Sequence, residues 1–240
     1  MKKRIWLFLA ASCAMAGEPP PAALSAFDAY IRTVETRLAE QHRSPVGFLA
    51  PAAFGTEGAT VIERLTPSPP TDLPGALLHH WRGTAFAPGA KAADFEALLR
   101  DFNSFPQHFS PEVLQARVLT EDGDRIQAWM RVRQKHIITV VLDATYDITF
   151  AQLDPKHGYS ISRSTRIAEL AAEDHGFLWR LNTYWSYEER DDGLYLQIEA
   201  ISLTRGIPAG LGWIIRPFVE SIPRESLEFT LRSVRNALHK

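Results

Sequence analysis

Histidine and acidic pairs come first, because they are the residues able to move protons or hold metal. His79 and His80 are adjacent, and neighbours on a strand point to opposite faces, so they do not share an ion. His108, His136, His157 and His175 are scattered, with neither a His-Glu-x-x-His pattern nor Cys/His ligand spacing. No metal and no cofactor is therefore expected. Gly206, Gly210 and Gly212 precede a helical pattern, where phosphate cradles occur. No Lys-Ser/Thr pair follows them, so they read as a turn from sheet to helix. Gly-x-Ser-x-Gly is absent, and no Ser-His-Asp order stands out. Asp143 and Asp147 share one strand face and could form a carboxylate pair. The other face of that strand is the apolar one, which makes theirs a solvated outer face.

The remaining chemistry is recognition. Trp129 and Arg131 share a strand face, as do Arg180, Asn182 and Tyr184; Arg166 and Glu199 are further mid-strand polar residues. Arginine beside Tyr or Trp can hold an anionic or aromatic group. Exposed cross-strand pairing explains the same residues without a ligand. Period-two alternation alone does not say which face looks inward.

Elements that would position these groups follow from hydrophobic period. Leu24 to His42 carries Phe27, Ile31, Val34 and Leu38 at helical spacing with mixed charges opposite, a helix made to pack on a domain. A Pro/Gly-rich connector follows, with one short strand near Thr60 to Leu65. Leu77 to Phe86 reads as a strand and Ala92 to Phe102 as a helix. Val113 to Thr120, Arg125 to Arg133, Ile138 to Phe150, Tyr159 to Ala168, Phe177 to Glu189 and Leu194 to Thr204 read as strands. Gly123 and Gly193 sit in hairpin turns. A long apolar-striped helix ends the chain, with Pro223 expected to kink or restart it.

Residues 1–16 place Lys2, Lys3 and Arg4 before a short apolar run and Ala14-Met15-Ala16, the order of a secretory signal peptide. The run falls short of the roughly 20 residues that span a bilayer. Export to the periplasm or outside the cell is expected. Ala10-Ala11-Ser12-Cys13 offers the alternative of a lipoprotein tethered through Cys13. Past Cys13 there is no cysteine, hence no internal disulfide or thiol chemistry. Loss of residues 1–16 moves the net charge from −2 to −5, since Lys2, Lys3 and Arg4 go and no acid goes. That balance argues against nucleic acid. The expected organisation is 1–16 signal peptide, 17–75 N-terminal helix and linker, and 76–240 one α+β domain.

Trp185-Ser186-Tyr187-Glu188-Glu189, the Asp191-Asp192-Gly193 turn, and Ile207-Pro208-Ala209-Gly210-Leu211-Gly212-Trp213 leading into Ile214 to Lys240 carry a resemblance. They resemble the helix-grip fold of the START-like superfamily, also called SRPBCC, over about residues 76–239. That superfamily includes birch pollen allergen-like proteins, polyketide cyclases and coenzyme Q-binding START relatives. The resemblance implies a curved antiparallel sheet wrapped around a long C-terminal helix, and a cavity between them. It implies no catalytic residue, because the superfamily has no invariant catalytic motif. The expected function is binding of a hydrophobic small molecule or lipid. Trp129, Arg131, Arg180, Tyr184, Ile214, Ile215, Phe218 and Leu231 are the candidate ligand-binding residues. The alternatives are a cyclase- or hydrolase-type enzyme in the same cavity, or a non-catalytic envelope protein whose N-terminal helix docks on a partner.

Overall fold

The computed structural model describes residues 18–44, 47–51, 54, 59–66, 73, 75–135, 139–170, 178–206 and 212–239; for 212–220 it describes the helix path alone. The expected signal peptide, Cys13 and the Ile207 to Leu211 break lie outside the described residues.

Helix α1 spans Pro21–Arg43, and β1 spans Thr60–Arg64. Next come β2 (Ala76–Pro88), α2 (Ala92–Arg100) and a short turn of helix, α3 (Phe105–His108). Six long strands follow: β3 (Val113–Asp122), β4 (Arg125–Lys135), β5 (Thr139–Asp154), β6 (His157–Glu169), β7 (Leu178–Arg190) and β8 (Gly193–Arg205). Helix α4, Gly212–Leu238, closes the chain. The helix is assigned without interruption through Pro223, so the expected restart there does not occur.

The strands form one antiparallel sheet in the order β1-β2-β8-β7-β6-β5-β4-β3. β2 pairs with β8 across the whole molecule, which brings the first long strand beside the last. β3 to β8 run as successive neighbours, and the β3–β4 and β7–β8 turns contain Gly123 and Gly193; Gly123 takes φ 57°, where a side chain would be strained. This is the helix-grip α+β architecture expected from the sequence.

Different helices pack on the two faces of the sheet. On the inner face α4 and α2 pack over Ala85, Ala128, Tyr146, Ile148, Trp185, Tyr187, Leu196 and Ile198. Leu227, Leu231 and Val234 supply the helix side of this core, and Leu231 and Val234 are fully buried. Gly83 permits the approach: a Cβ there would stand 2.6 Å from Leu231 Cδ1 and 3.1 Å from Leu227 Cγ. Phe95 of α2 meets Trp185 and Tyr187 edge-on, each at 5.1 Å between ring centres.

On the outer face α1 lays Ala23, Phe27, Ile31, Val34 and Leu38 against Ala76, Leu78, Tyr184, Ile201 and Leu203. The four larger side chains contribute about 1.5–3 kcal/mol each on burial. Pro21 opens α1 at a position whose N–H would be unpaired in any case. The apolar stripe of α1 is thus occupied by the protein's own sheet, which weakens the expectation that this helix docks on a partner. Among the described residues, β3, β4 and β5 carry no helix on their outer face.

Candidate functional site

Strand register divides the polar residues between the two faces, because paired residues share a face. On the inner face one row runs Trp81–Ala200–Thr183–Ser162–Ile148 from β2 to β5. The next row runs His79–Ser202–Leu181, continuing through Ser164 opposite Tyr146. Trp81, Ala200, Thr183, Ser162 and Leu181 are only half-buried, as are Met130, Val132 and Ile167 further along. At the opposite end of the same face Trp185, Tyr187, Leu196 and Ile198 are fully buried beneath Phe95, Leu227 and Leu231. The inner face therefore changes from a closed aromatic core to a mixed apolar and hydroxyl floor, half-buried at Trp81, Ala200, Thr183, Ser162 and Leu181 and buried at His79, Ser202, Ser164 and Tyr146.

Ionisable groups on that floor are few among the described residues. His79 is 3 % exposed, with Nε2 3.3 Å from Thr204 Oγ1. Burial, reinforced by the nearby Arg64 charge, pushes its pKa down to about 4, so the imidazole is neutral at pH 7. Tyr146 is held protonated by burial well above the ordinary phenol range. Tyr187, at the closed end, is likewise pushed up, first by burial and then by its hydrogen bond to Glu96, 2.9 Å away. Arg64 on β1 pairs with Trp81; its guanidinium stands 6.0 Å from the Trp81 ring and its Nε donates to Thr66 Oγ1.

The outer face holds the main buried charge cluster. Glu199 is 1 % exposed and accepts from Arg37 of α1. It also accepts from Arg82 Nε and Nη2 at 3.0 and 2.9 Å, and from His80 Nε2 at 2.9 Å. In the neutral imidazole that leaves His80 Nδ1 to accept from the Tyr30 hydroxyl at 2.8 Å. Burial alone would raise the Glu199 pKa, but His80, Arg37 and Arg82 outweigh it and hold the carboxyl at about 2. A second tie joins Glu35 of α1 to Tyr184 Oη at 2.9 Å and Arg163 Nε at 2.7 Å. A shallow cleft of about 50 Å³ lies along this seam, lined by Glu35, Leu38, His42, Tyr159, Ile161 and Tyr184. Both networks fasten α1 to the sheet and place no charge on the inner floor.

These placements revise the candidate residues. Trp129 and Arg131 face outward on the uncovered part of the sheet. Arg117 and Arg131 lie over the Trp129 ring at 5.0 and 5.5 Å, and Arg131 is paired with Asp143 at 2.7 Å. The cross-strand explanation accounts for all of them, and Asp143 and Asp147 do lie on the outer side. Tyr184 faces α1, and Arg180 pairs with Leu203 on that same outer side, with Nη1 donating to the Trp179 carbonyl at 2.8 Å. These four cannot meet a ligand between sheet and α4, because alternation turns them away from it. Leu231 is on the inner side. The side chains of Ile214, Ile215 and Phe218 lie outside the described residues. His79 faces in and His80 out, as adjacent strand residues must.

Sequence reasoning passed over Thr183, Ser162, Ser164 and Ser202, since small hydroxyl residues carry no signal by themselves. A signal did exist. The β8 segment Gln197-Ile198-Glu199-Ala200-Ile201-Ser202-Leu203 mixes apolar residues on both faces, whereas β4 alternates cleanly. That contrast marks β8 as covered on both sides and β4 on one.

No protein-family model matches the chain, and no curated protein matches it in sequence. Solved structures do match. A Thermus thermophilus protein superposes with TM-score 0.52 at 14% identity, over 66% of this chain and 95% of that one. The Zhui aromatase/cyclase of a Streptomyces species superposes with TM-score 0.51 at 15% identity, over 68% and 94% of the two chains. At these identities the likeness concerns the fold: the chain has the helix-grip fold of START-like proteins. Among the described residues no helix is long and apolar enough to cross a membrane.

Proposed function

We propose that the protein binds a hydrophobic small molecule between the inner face of the sheet and α4, at the end away from the closed core. The observation that carries this reading is the change along one face, from the closed core around Trp185 and Leu231 to the half-buried floor of Trp81, Met130, Ile167, Leu181 and Ala200. An apolar face left reachable costs free energy unless something covers it, at about 25 cal/mol per Å². A ligand laid on that floor recovers this energy. The shared fold with an aromatase/cyclase supports a small-molecule role.

Binding without chemistry is favoured over the cyclase or hydrolase reading. A general base works best with a pKa near the operating pH. His79 lies about three pH units below neutrality, and Tyr146 is fixed in its protonated form. Neither exchanges protons readily at pH 7. We further propose, from the basic-apolar-small order of residues 1–16, that the chain is exported, with tethering through Cys13 as the alternative.

Native mass spectrometry of protein purified from its own host, followed by organic extraction, tests the binding reading. A co-purifying apolar compound supports it. Protein that arrives empty and takes up no lipophilic fluorescent probe defeats it. Cell fractionation, with a Cys13→Ser variant, separates a released protein from a membrane-tethered one.

A further inference from the structure

On its outer face the sheet is closed by α1 over β2, β8 and β7, while β3, β4 and β5 carry no helix there among the described residues. Register defines what the open part presents. One outward row runs Arg117–Trp129–Thr145–Arg166 from β3 to β6. The next runs Gln115–Arg131–Asp143–Ala168. Beyond it Arg133 stands opposite Val141, and Lys135 opposite Thr139. Arg117, Lys135 and Arg166 are exposed, and Trp129, Arg131 and Arg133 are half-buried.

Cross-strand pairing gives an acid to one of these cations. Asp143 holds Arg131 at 2.7 and 2.9 Å. The residues opposite Arg117, Arg166, Arg133 and Lys135 are Trp129, Thr145, Val141 and Thr139, none of them acidic. These rows thus place five cations around one carboxylate, on a chain whose net charge is −2. Such a concentration of one sign repels itself and attracts a surface of the other sign. Trp129 lies among the cations, with the Arg117 and Arg131 guanidinium groups 5.0 and 5.5 Å from its ring. The face also has an apolar border. Leu114, Leu119 and Leu170, three of the four exposed large apolar residues among those described, lie on β3 or just past β6. The Leu170 N–H donates to the Val141 carbonyl at 2.8 Å, which sets Leu170 in line with Arg133 and Val141.

Size selects the partner. Four strands about 4.8 Å apart and four same-face rows about 7 Å apart make a patch of about 14 by 20 Å, roughly 300 Å². A stable protein interface takes about 800 Å² from each side. A bilayer surface needs no matched contour: clustered cations, a Trp at headgroup level and a few apolar side chains suffice.

We propose that the outer face of β3 to β6 rests on an anionic lipid surface, with Trp129 at headgroup level and Arg117, Arg133, Lys135 and Arg166 against the phosphates. The groove between the sheet and α4 lies on the opposite face, and the contact does not depend on it.

The full chain is titrated with vesicles of phosphatidylcholine and phosphatidylglycerol in equal parts, and with phosphatidylcholine alone. Residues 1–16 are the same in every variant, so differences between variants read the sheet face. The parent protein is expected to bind the anionic vesicles at least tenfold more tightly than the neutral ones. That affinity should fall at least tenfold between about 0.05 and 0.5 M salt. Each cation near an anionic surface contributes about fivefold. Arg117→Gln combined with Arg166→Gln should therefore weaken binding at least tenfold, while Arg117→Lys combined with Arg166→Lys should stay within threefold. Lys91→Gln removes a charge beside α2, where Lys91 pairs with Glu189 at 3.1 Å, and should stay within twofold. Vesicles with brominated acyl chains quench tryptophan, and Trp129→Phe should lose part of that quenching. Circular dichroism accompanies each variant, and Arg166→Gln alone, expected to cost at least threefold, replaces a double variant that does not fold. Equal binding to both kinds of vesicle, or binding that the glutamine substitutions leave unchanged, overturns the inference. Quenching unaltered in Trp129→Phe overturns it too. Binding of polyglutamate that depends on Arg117 and Arg166, without binding of vesicles, makes the partner an acidic polypeptide and equally overturns it.

Discussion

Replacing Glu199 by Gln tests whether α1 is fastened to the sheet by one buried carboxylate. The side chain is 1 % exposed and faces the guanidinium groups of Arg37 and Arg82 and the His80 ring. Glutamine keeps the shape but removes the charge, and its amide must turn N–H groups toward one of these donors. Breaking a buried pair by neutralising one member typically costs about 3–5 kcal/mol, because the remaining charges stay desolvated. Arg37 is 40 % exposed and can swing into water, so its share is small. Arg82, at 11 %, cannot. The expected cost is therefore at the lower end, about 3 kcal/mol. For a chain of this length that corresponds to a fall in Tm of about 6–12 °C. Thermal unfolding followed by circular dichroism at pH 7 measures it. The pH dependence provides an internal check. The folded carboxyl sits at about 2, below its ordinary 4.5, so its stabilisation is present above pH 4.5 and is lost as pH falls toward 2. In Glu199→Gln the slope in that window should flatten. A Tm change under about 2 °C, with the acid slope unaltered, would refute the reasoning that this cluster secures α1.

Three further outcomes follow from the same structure. Gly83→Ala drives a methyl into Leu231 and Leu227, an overpacking expected to cost about 1–3 kcal/mol and read as a lower Tm. Stability should fall as pH drops from about 6.5 to 4, because His42 and His79 are both held near 4 by burial and the unfolded chain takes up their protons first. His79→Leu should remove part of that slope in an acid-melting series, and an unchanged slope would contradict the burial argument. Trp129→Ala and Arg131→Ala should leave the Kd of a lipophilic probe within twofold, since both side chains point away from the groove; a tenfold loss would mean the inner and outer faces are misassigned.

The contrast between what was legible and what was not has a physical basis. Element order was readable because strand and helix periods differ, and because Gly123 and Gly193 mark turns that few other residues can make. Face assignment was readable on β5, whose apolar face opposes Asp143 and Asp147, but not on strands with mixed faces, since a period of two is symmetric under inversion of the sheet. The chemically conspicuous Trp129, Arg131, Arg180 and Tyr184 lie on the outer face, where Arg131, Arg180 and Tyr184 have hydrogen-bond partners. The hydroxyls that line the inner floor belong to Thr183, Ser162 and Ser202, residues too common to stand out singly. The role of α1 was half legible. Its amphipathic stripe foretold packing on a domain, but not that Arg37 would reach Glu199, which is 162 residues away in the chain.

The proposed binding surface is the half-buried floor on the inner face. Ala200 lies at its centre, half-buried between Trp81 and Thr183. Ala200→Trp would fill the floor without touching the outer network, and the direct measurement is probe titration of this variant beside the parent protein. The folded variant is expected to lose at least tenfold in probe affinity while Trp129→Ala does not. Undiminished binding by a folded Ala200→Trp protein would contradict it and move the site elsewhere on the molecule.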